Sequence, residues 1–364
     1  GSSRRGNQAA IMAWKPEESE LARVRGARIL LVDDTSIYHM VAMGIMRSWE
    51  VHLTFAFDGR EALAKLSERD FDIILMDIEM PGMDGCQATT AIRQSDNFKT
   101  TPIIAMTSHL STLSHRRFMS IGMDDFLSKP LDPKQVLRTL AKWIQNPDPQ
   151  GTGKAAIPTN AKEESASYML PGAIAGVDLK EGLARCTGNT GFYARLLKEF
   201  RLEYGDAGIR LGELIAAGEV EVARRLAHTI KGVAGNLGMV DLASTASELE
   251  NSIKKQINIS ASLANTQRAM DILNQGLDAL DQDVSAPESA AENRDLKKAM
   301  ALTGQLKAML ARGDFRSSDV AFQLHNALGG EHADSAMAMK QATDRFEFDK
   351  ALALLAELER ALKA

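Results

Sequence analysis

Residues 29–34 read ILLVDD, four apolar residues followed by two carboxylates. The same pattern recurs along the chain: residues 73–77 read IILMD, residues 103–107 read IIAMT and residues 126–130 read FLSKP. Short apolar runs of this kind are typical of the buried strands of a parallel sheet. Because the carboxyl ends of parallel strands meet at one edge of a sheet, the polar residues that end these runs are predicted to converge there.

Amphipathic segments separate the apolar runs, which is the pattern of βα units around a parallel sheet. The apolar runs predict strands near residues 28–32, 51–55, 71–76, 102–106 and 125–127. Helical spacing predicts helices near residues 36–48, 59–68, 85–94, 109–120 and 133–144. Strands and helices that alternate in this way predict a flavodoxin-like, doubly wound (βα)5 domain over residues 28–144, after an N-terminal tail of residues 1–27.

A polar stretch over residues 145–177 predicts a flexible linker. From residue 178 to 281 apolar residues recur at helical spacing, which predicts an all-α antiparallel four-helix bundle. A second polar linker over residues 282–292 precedes residues 293–364, which again have a helical pattern. These last residues either form their own helical module or extend the bundle, and their role stays open.

The composition of the 364-residue chain limits its possible functions. A formal net charge of −5 without a basic block argues against nucleic acid as a partner. Cys86 and Cys186 have no metal-ligand spacing, and we expect them to be reduced thiols of a cytoplasmic protein. No apolar run approaches the ~20 residues that a membrane span needs. The opening Gly1-Ser2-Ser3 suggests a piece of a longer protein, in which earlier segments could provide a membrane tether.

The polar residues at the predicted sheet edge suggest a site for a divalent cation and a phosphoryl group. Asp33, Asp34 and Asp77 offer the oxygen ligands that Mg²⁺ prefers, and the backbone carbonyl of Glu79 is a further candidate ligand. Clustered carboxylates repel one another unless a cation neutralises them. Asp77 is the expected nucleophile, because a carboxylate can accept a phosphoryl group to form an acyl phosphate.

Thr107 and Lys129 complete this predicted site. We expect Thr107 to hydrogen-bond a phosphoryl oxygen, and Lys129 to balance the charge that spreads over the phosphoryl oxygens during transfer. The Lys129 ammonium is predicted to lie at the surface edge, where it would contribute little to folding stability. Ordinary strand-end polarity explains any one of these residues, but it does not explain such residues at consecutive strand ends.

His228 is a second candidate phosphoryl acceptor. On a helix, Lys231, Gly232 and Gly235 follow His228 by three, four and seven residues and therefore lie on its face. A glycine costs about 1 kcal/mol inside a helix, so two of them suggest a face cleared for the close approach of another protein. We expect His228 to be a solvent-facing neutral imidazole that acts as the nucleophile, with Lys231 adding positive charge.

The sheet-edge motifs resemble those of the bacterial two-component receiver (response-regulator) domain over residues 28–144. The motifs that carry this resemblance are Val32-Asp33-Asp34, Met76-Asp77, Met80-Pro81-Gly82-Met83-Asp84-Gly85, Ala105-Met106-Thr107 and Ser128-Lys129-Pro130. The resemblance implies that Asp77 is phosphorylated and that Asp33 and Asp34 organise Mg²⁺. It also implies that Thr107 and Phe126 are switch residues, with Phe126 at a position where receivers often carry Tyr. A haloacid-dehalogenase-type phosphohydrolase uses similar groups, but there the nucleophile precedes the acidic pair, which is the reverse of the order here.

The segment from Ala227 to Gly238, which reads AHTIKGVAGNLG, resembles the histidine-containing phosphotransfer (HPt) domain. The resemblance implies a four-helix bundle with His228 exposed midway along one helix, and a domain that passes phosphate between aspartates without hydrolysing ATP. His325 repeats part of this spacing, but Leu328 occupies the position of the lysine. We expect His325 to have no positive charge beside it and to lie unphosphorylated at a helix end. A degenerate second phosphotransfer fold is the alternative.

A receiver followed by an HPt domain is the order found at the C-terminal end of hybrid sensor histidine kinases, and the sequence contains no kinase ATP-binding signature. We therefore predict the output half of such a kinase, or a free-standing relay protein. Its partners would be an upstream histidine kinase domain and a downstream response-regulator receiver. Because a linker of about 30 residues spans ~30 Å, Asp77 and His228 of one chain could also dock. The alternative is an interaction module in which phosphorylation only changes how the helical domains bind another protein.

Overall fold

The structure, a computed structural model, describes residues 16–108, 112–144, 170–186, 188–278, 280, 296–311, 317–328, 332–344 and 348–363. The chain divides into two compact units. The first unit contains most of a sheet domain and the helical bundle that follows it up to residue 283, and the second contains residues 53–55 and the helices after residue 283. None of the described helices is both long enough and apolar enough to cross a membrane.

The first unit begins with a parallel five-stranded sheet. Its strands are β1 (Arg28–Val32), β2 (His52–Ala56), β3 (Ile73–Asp77), β4 (Ile103–Thr107) and β5 (Asp125–Ser128). They lie in the order β2-β1-β3-β4-β5, which is the flavodoxin-like order. The register sets Asp77 beside Met106 and Thr107 beside Ser128, so the polar strand ends share one edge. The predicted α/β fold is confirmed.

Helices surround this sheet. They are α1 (Glu18–Val24), α2 (Ser36–Met46), α3 (Gly59–Glu68), α4 (Gly85–Gln94), α5 (Thr112–Ile121) and α6 (Pro133–Trp143). Short acidic side chains begin several of them, because such side chains accept hydrogen bonds from the free N–H groups of the first turn. Asp84 and Gln87 form a capping box at α4, and Asp132 accepts from the Gln135 backbone at α6. These caps fix where the loops that carry the site pass into helices.

Residues 18–24 differ from the predicted N-terminal tail, because they form helix α1. Val24 is fully buried, and α1 packs against α6. Glu20 lies 3.6 Å from Arg138 across this contact. An apolar side chain that would otherwise be exposed to water thus extends the sheet domain before residue 28.

The helical bundle follows in the first unit. Its helices are α7 (Leu179–Arg185), α8 (Thr190–Tyr204), α9 (Ala207–Ala216), α10 (Val220–Asn236), α11 (Val240–Lys255) and α12 (Ile259–Leu277). Helix α10 packs against α9 and α11, while α12 packs against α9 and α11 from the other side and also contacts α8. Ile230, Val233 and Leu249, which define the apolar stripes of the sequence, are fully buried. The predicted helical bundle is confirmed.

The end of the predicted linker packs on this bundle. Ile174 is 4% exposed and forms an isolated antiparallel bridge with Val177. A Cβ on Gly276 of α12 would collide with the backbone of Ala175, so the two chain segments lie close together. Burial of Ile174 holds this segment in place and extends the bundle to before residue 178. Residues 145–169 of the predicted linker lie outside the described residues.

The second unit is a separate helical module. Its helices are α13 (Leu296–Leu310), α14 (Ser317–Ala327), α15 (Ala333–Asp344) and α16 (Phe348–Lys363). Each helix packs against the next, and α13 also packs against α16. Their buried faces form one core that includes Leu306, Leu324, Met339 and Leu358. Of the two arrangements open from the sequence, the last residues thus form a module of their own.

Candidate functional site

Three carboxylates and one ammonium meet at the carboxyl end of the sheet. Asp33 is fully buried and Asp77 is 3% exposed. Ligand oxygens of Asp33, Asp34 and Asp77 all lie within 4.8 Å of one another. The Nζ atom of Lys129 lies 2.7 Å from Asp33 Oδ2 and 3.0 Å from Asp77 Oδ1. Residues from separate strand ends therefore form one site with an excess of negative charge, which fits a divalent cation.

Burial opposes ionisation at this site. Burial, followed by repulsion from Asp33, raises the pKa of Asp34 to about 6. Burial also raises the pKa of Asp77 to about 7, although Lys129 acts in the opposite direction. Burial lowers the pKa of Lys129, but the Asp33 and Asp77 carboxylates outweigh it and raise that pKa well above its ordinary value. Lys129 therefore stays charged between them.

The prediction that Lys129 lies at the surface edge is wrong. Its side chain is only 5% exposed. Two carboxylates draw the ammonium into the site, and its charge offsets part of their mutual repulsion. Lys129 therefore supports the folded site as well as any later chemistry.

Thr107, Phe126 and Glu79 lie around this acidic cluster. Thr107 ends β4 at the same sheet edge and is 7% exposed. Phe126 is half-buried on β5, and its ring meets the His115 ring edge-on with the centroids 5.3 Å apart. The Glu79 side chain points to the helical bundle, with Oε2 3.1 Å from Nη1 of Arg224. The structure thus brings Thr107 to the predicted site and gives Glu79 a contact that the sequence did not predict.

His228 lies against the sheet domain. The residue is only 9% exposed, so the prediction of a solvent-facing imidazole is wrong. Its Nε2 atom lies 3.2 Å from Oγ of Ser108, and Ser108 directly follows Thr107. The sheet domain covers the glycine-cleared face of α10, which removes the ring from water. The two predicted phosphoryl acceptors, Asp77 and His228, therefore belong to surfaces that meet.

Glu250 of α11 fixes the orientation of the His228 ring. Its Oε1 atom lies 3.1 Å from Nδ1 of His228, and Glu250 is fully buried. Burial raises the pKa of Glu250, but the hydrogen bond with His228, followed by that with Lys254, lowers it well below its ordinary value. An ionised carboxylate only accepts hydrogen bonds, so Nδ1 of His228 must carry the proton. In a neutral imidazole the lone pair then lies on Nε2, the atom that faces Ser108.

Cations surround the Glu250 carboxylate. Lys254 Nζ lies 2.6 Å away, Lys231 Nζ 3.2 Å and Arg224 Nη1 3.5 Å. Arg224 also joins Glu79 of the sheet domain, so the charge network crosses the interface. Lys231, predicted to help a phosphoryl group at His228, is held within this network beside the imidazole.

Further polar contacts extend the interface away from His228. The backbone N–H of Leu131 donates to Oδ1 of Asn236 over 3.0 Å. On α2, the Ser36 hydroxyl donates to Oε2 of Glu203 over 2.8 Å. The interface therefore joins the start of α2 and the segment after β5 to helices α8 and α10.

Sequence reasoning missed Glu250, Arg224 and Ser108 as members of this site. Glu250 had a detectable signal, because it follows Ala246 by four residues and therefore lies on the apolar stripe of its helix. A charged residue on an apolar stripe needs a buried partner. Ser108 and the contact of Arg224 with Glu79 had no such signal, since each joins residues of different domains.

In the second unit, His325 has a charged neighbour that the sequence did not predict. Burial, followed by the charge of Lys340, lowers the pKa of His325. Lys340 lies on α15, so adjacent helices bring together residues distant in sequence. Leu328 is 7% exposed and belongs to the core of the module. The expectation that no positive charge lies beside His325 is wrong, and Gly329-Gly330, its predicted helix stop, lie outside the described residues.

Comparisons with known proteins match both domains. A family model described as the response regulator receiver domain matches residues 29–141, and one described as the Hpt domain matches residues 195–283. Sensor protein GacS of Pseudomonas syringae pv. syringae is 28% identical over 240 residues, which are 64% of this chain and 25% of that protein. Signal transduction histidine-protein kinase BarA of Escherichia coli (strain K12) is 24% identical over 239 residues, which are 65% of this chain and 25% of that protein. The chain spans about a quarter of the length of these two relatives.

Solved receiver structures also align with part of the chain. Chemotaxis response regulator CheY4 of Vibrio cholerae is 36% identical, with a TM-score of 0.31 over 32% of this chain and 98% of that chain. The receiver domain of sensor histidine kinase PA1611 from Pseudomonas aeruginosa PAO1 is 34% identical, with a TM-score of 0.31 over 33% of this chain and 98% of that chain. That structure has a magnesium ion coordinated in its active site cleft.

Proposed function

We propose that this chain is a phosphorelay protein that moves a phosphoryl group between Asp77 and His228. It joins a receiver domain over residues 29–141 to an Hpt domain over residues 195–283. An upstream histidine kinase domain supplies the group from a phosphohistidine, and the receiver of a response regulator takes it onward. The observation that carries this proposal is the docked His228, whose Nε2 lies 3.2 Å from Ser108 at the edge of the Asp77 site.

Asp77 accepts the phosphoryl group by displacement. A carboxylate oxygen attacks phosphorus, the O–P bond forms, the P–N bond to the donor imidazole breaks, and that nitrogen keeps the electron pair. The Lys129 ammonium, 3.0 Å from Asp77, stabilises negative charge on the phosphoryl oxygens. The Thr107 hydroxyl donates a hydrogen bond to one of the same oxygens, and Thr107 and Phe126 shift with phosphorylation.

Asp33, Asp34 and Asp77 would hold a magnesium ion, with the backbone carbonyl of Glu79 as a further ligand. The close spacing of the three carboxylates and the raised pKa values of Asp34 and Asp77 fit this role. A bound magnesium ion neutralises charge on the carboxylates and the phosphoryl oxygens. It would thereby favour the ionised form of Asp77, which is the nucleophile.

His228 accepts the group from Asp77 by a second displacement. The Nε2 lone pair attacks phosphorus, the N–P bond forms, and the O–P bond breaks to return the Asp77 carboxylate. The proton stays on Nδ1, where Glu250 at 3.1 Å stabilises the positive charge that develops on the imidazole. Lys231 adds positive charge near the incoming group.

A second candidate function is a phosphorylation-controlled interaction module. The contacts between Leu131 and Asn236 and between Ser36 and Glu203 favour it, because they hold the domains together without touching either acceptor. In this alternative, phosphorylation of Asp77 releases the Hpt surface to another protein, and His228 never carries phosphate.

Phosphate mapping separates the two functions. The full chain is incubated with Mg²⁺ and a labelled acyl phosphate, and acid-stable, base-labile label on Asp77 is resolved from acid-labile label on His228. We expect both kinds of label in the unaltered chain, only the aspartyl label in His228→Gln, and neither in Asp77→Asn. Label on Asp77 that never reaches His228, even with a histidine kinase domain as donor, would instead support the interaction module.

A further inference from the structure

We propose that Tyr38 is a specificity-determining residue of the phosphotransfer interface, because its hydroxyl admits a glycine, and no larger residue, at position 232 of the docked Hpt helix. The inference rests on the proposed relay and adds a recognition rule to it. An Hpt helix with glycine four residues after its histidine is accepted, and one with a side chain at that position is refused.

The phosphoryl site holds the Tyr38 ring in place. Tyr38 lies on α2 and is 2% exposed. The Lys129 ammonium lies 4.1 Å from the centroid of its ring, a favourable cation–π distance. The same ammonium pairs with Asp33 and Asp77 at 2.7 and 3.0 Å. The ring is thus packed under a group that is itself held by two carboxylates, so it has little freedom to move aside.

The hydroxyl of Tyr38 closes the space beside Gly232. A Cβ at Gly232 would lie 2.5 Å from the Tyr38 hydroxyl oxygen but 3.4 Å from ring atoms Cε2 and Cζ. Carbon and oxygen do not approach to 2.5 Å without displacement, whereas 3.4 Å is close to ordinary contact. A single oxygen atom therefore decides whether a side chain fits at position 232.

The second glycine of this helix face has a different environment. A Cβ at Gly235 would lie 3.8 Å from Cγ of Pro130, which is ordinary van der Waals contact. Both glycines lie on α10, and alanine would raise the helix propensity at either position by a similar amount. Gly235→Ala is therefore a matched comparison for Gly232→Ala: it makes the same chemical change on the same face without the clash.

The test uses the full chain with Gly232→Ala, Tyr38→Phe, the double variant and Gly235→Ala. Label is placed on Asp77 with a small acyl phosphate and Mg²⁺, and the rate of its movement to His228 is measured per labelled receiver. Because overpacking a close interface is destabilising, we expect Gly232→Ala to slow transfer about tenfold. Tyr38→Phe should restore the rate in the double variant, and Gly235→Ala should have a much smaller effect than Gly232→Ala.

Amide hydrogen exchange of the same variants tests docking without chemistry. We expect Gly232→Ala to increase exchange in α2 and α10, and Tyr38→Phe to reverse that increase. An unaltered docking signal in Gly232→Ala, or a defect that Tyr38→Phe does not relieve, would overturn the inference. If the unaltered chain never carries phosphate on His228, the relay proposal fails, while the exchange data still decide whether Tyr38 and Gly232 control docking.

Discussion

Replacing Glu250 with glutamine tests how His228 is made a nucleophile. The change keeps the size of the side chain but removes the charge. The glutamine amide can donate as well as accept a hydrogen bond, so Nδ1 of His228 is no longer required to carry the proton. The variant also leaves Lys231, Lys254 and Arg224 without the carboxylate that they share.

The size of the effect follows from the contacts of Glu250. A hydrogen bond to a charged group contributes about 1.5–3 kcal/mol, so loss of the fixed ring should slow phosphate transfer to His228 about 10- to 100-fold. Side chains of the remaining cations are 15% to 39% exposed and can regain water. We therefore expect the free energy of unfolding to fall by about 1–3 kcal/mol. This is less than the full penalty for a buried charge that has lost its partner and cannot reach water.

The assay follows label from Asp77 to His228 in single-turnover time courses, with folding checked by circular dichroism and urea unfolding. Glu248→Gln is the matched control, because Glu248 lies on the same helix but is exposed. We expect the control to transfer like the unaltered chain. A folded Glu250→Gln variant that transfers at the unaltered rate would refute the role assigned to Glu250.

Further predictions concern the acidic site and the C-terminal module. Lys129→Ala should lower the free energy of unfolding as well as abolish most phosphoryl-dependent change, because it leaves Asp33 and Asp77 unpaired; unfolding titrations with and without Mg²⁺ would measure this, and unchanged stability would contradict it. The pKa values of Asp34 and Asp77 are raised to about 6 and about 7, so the folded state binds more protons than the unfolded chain between about pH 4 and pH 7 and loses stability as pH rises through that range. Mg²⁺ should therefore raise the melting temperature more at pH 8 than at pH 5, and an equal rise in Asp34→Asn would count against the metal site. Deleting residues 291–364 should leave phosphate exchange at Asp77 and His228 intact while altering its partner choice or return rate; label on His325 in a His228→Gln chain would instead make the module a second phosphotransfer station.

Local sequence signals were sufficient for the sheet and for the polar residues at its edge. Asp33, Asp77 and Thr107 each follow an apolar run. The run indicates a strand, and the polar residue indicates the edge of the sheet at which the strand ends, because a parallel sheet places all its carboxyl ends together. The glycine spacing after His228 likewise indicated a cleared face. These features are encoded within single segments, so they can be read without knowing how the segments meet.

The interface depended on contacts that no single segment encodes. His228 was expected in solvent, but Glu250 of the neighbouring helix and Ser108 of the docked receiver lie on either side of its ring. Lys129 was expected at the surface. Its burial depends on pairing with Asp33 and Asp77, which belong to other segments of the chain, so the segment around Lys129 does not indicate it. Tyr38 and Gly232 are distant in sequence, and nothing in either segment indicates that one hydroxyl lies against one glycine.

The concentration dependence of transfer decides whether Asp77 passes phosphate to His228 of the same chain. The receiver is labelled with a small acyl phosphate, the donor is removed, and the first-order rate of label movement to His228 is measured over a hundredfold range of protein concentration. An intrachain step predicts a rate constant that does not change with concentration. A rate that rises in proportion to concentration would show transfer between chains, and label that remains on Asp77 at every concentration would contradict the relay itself.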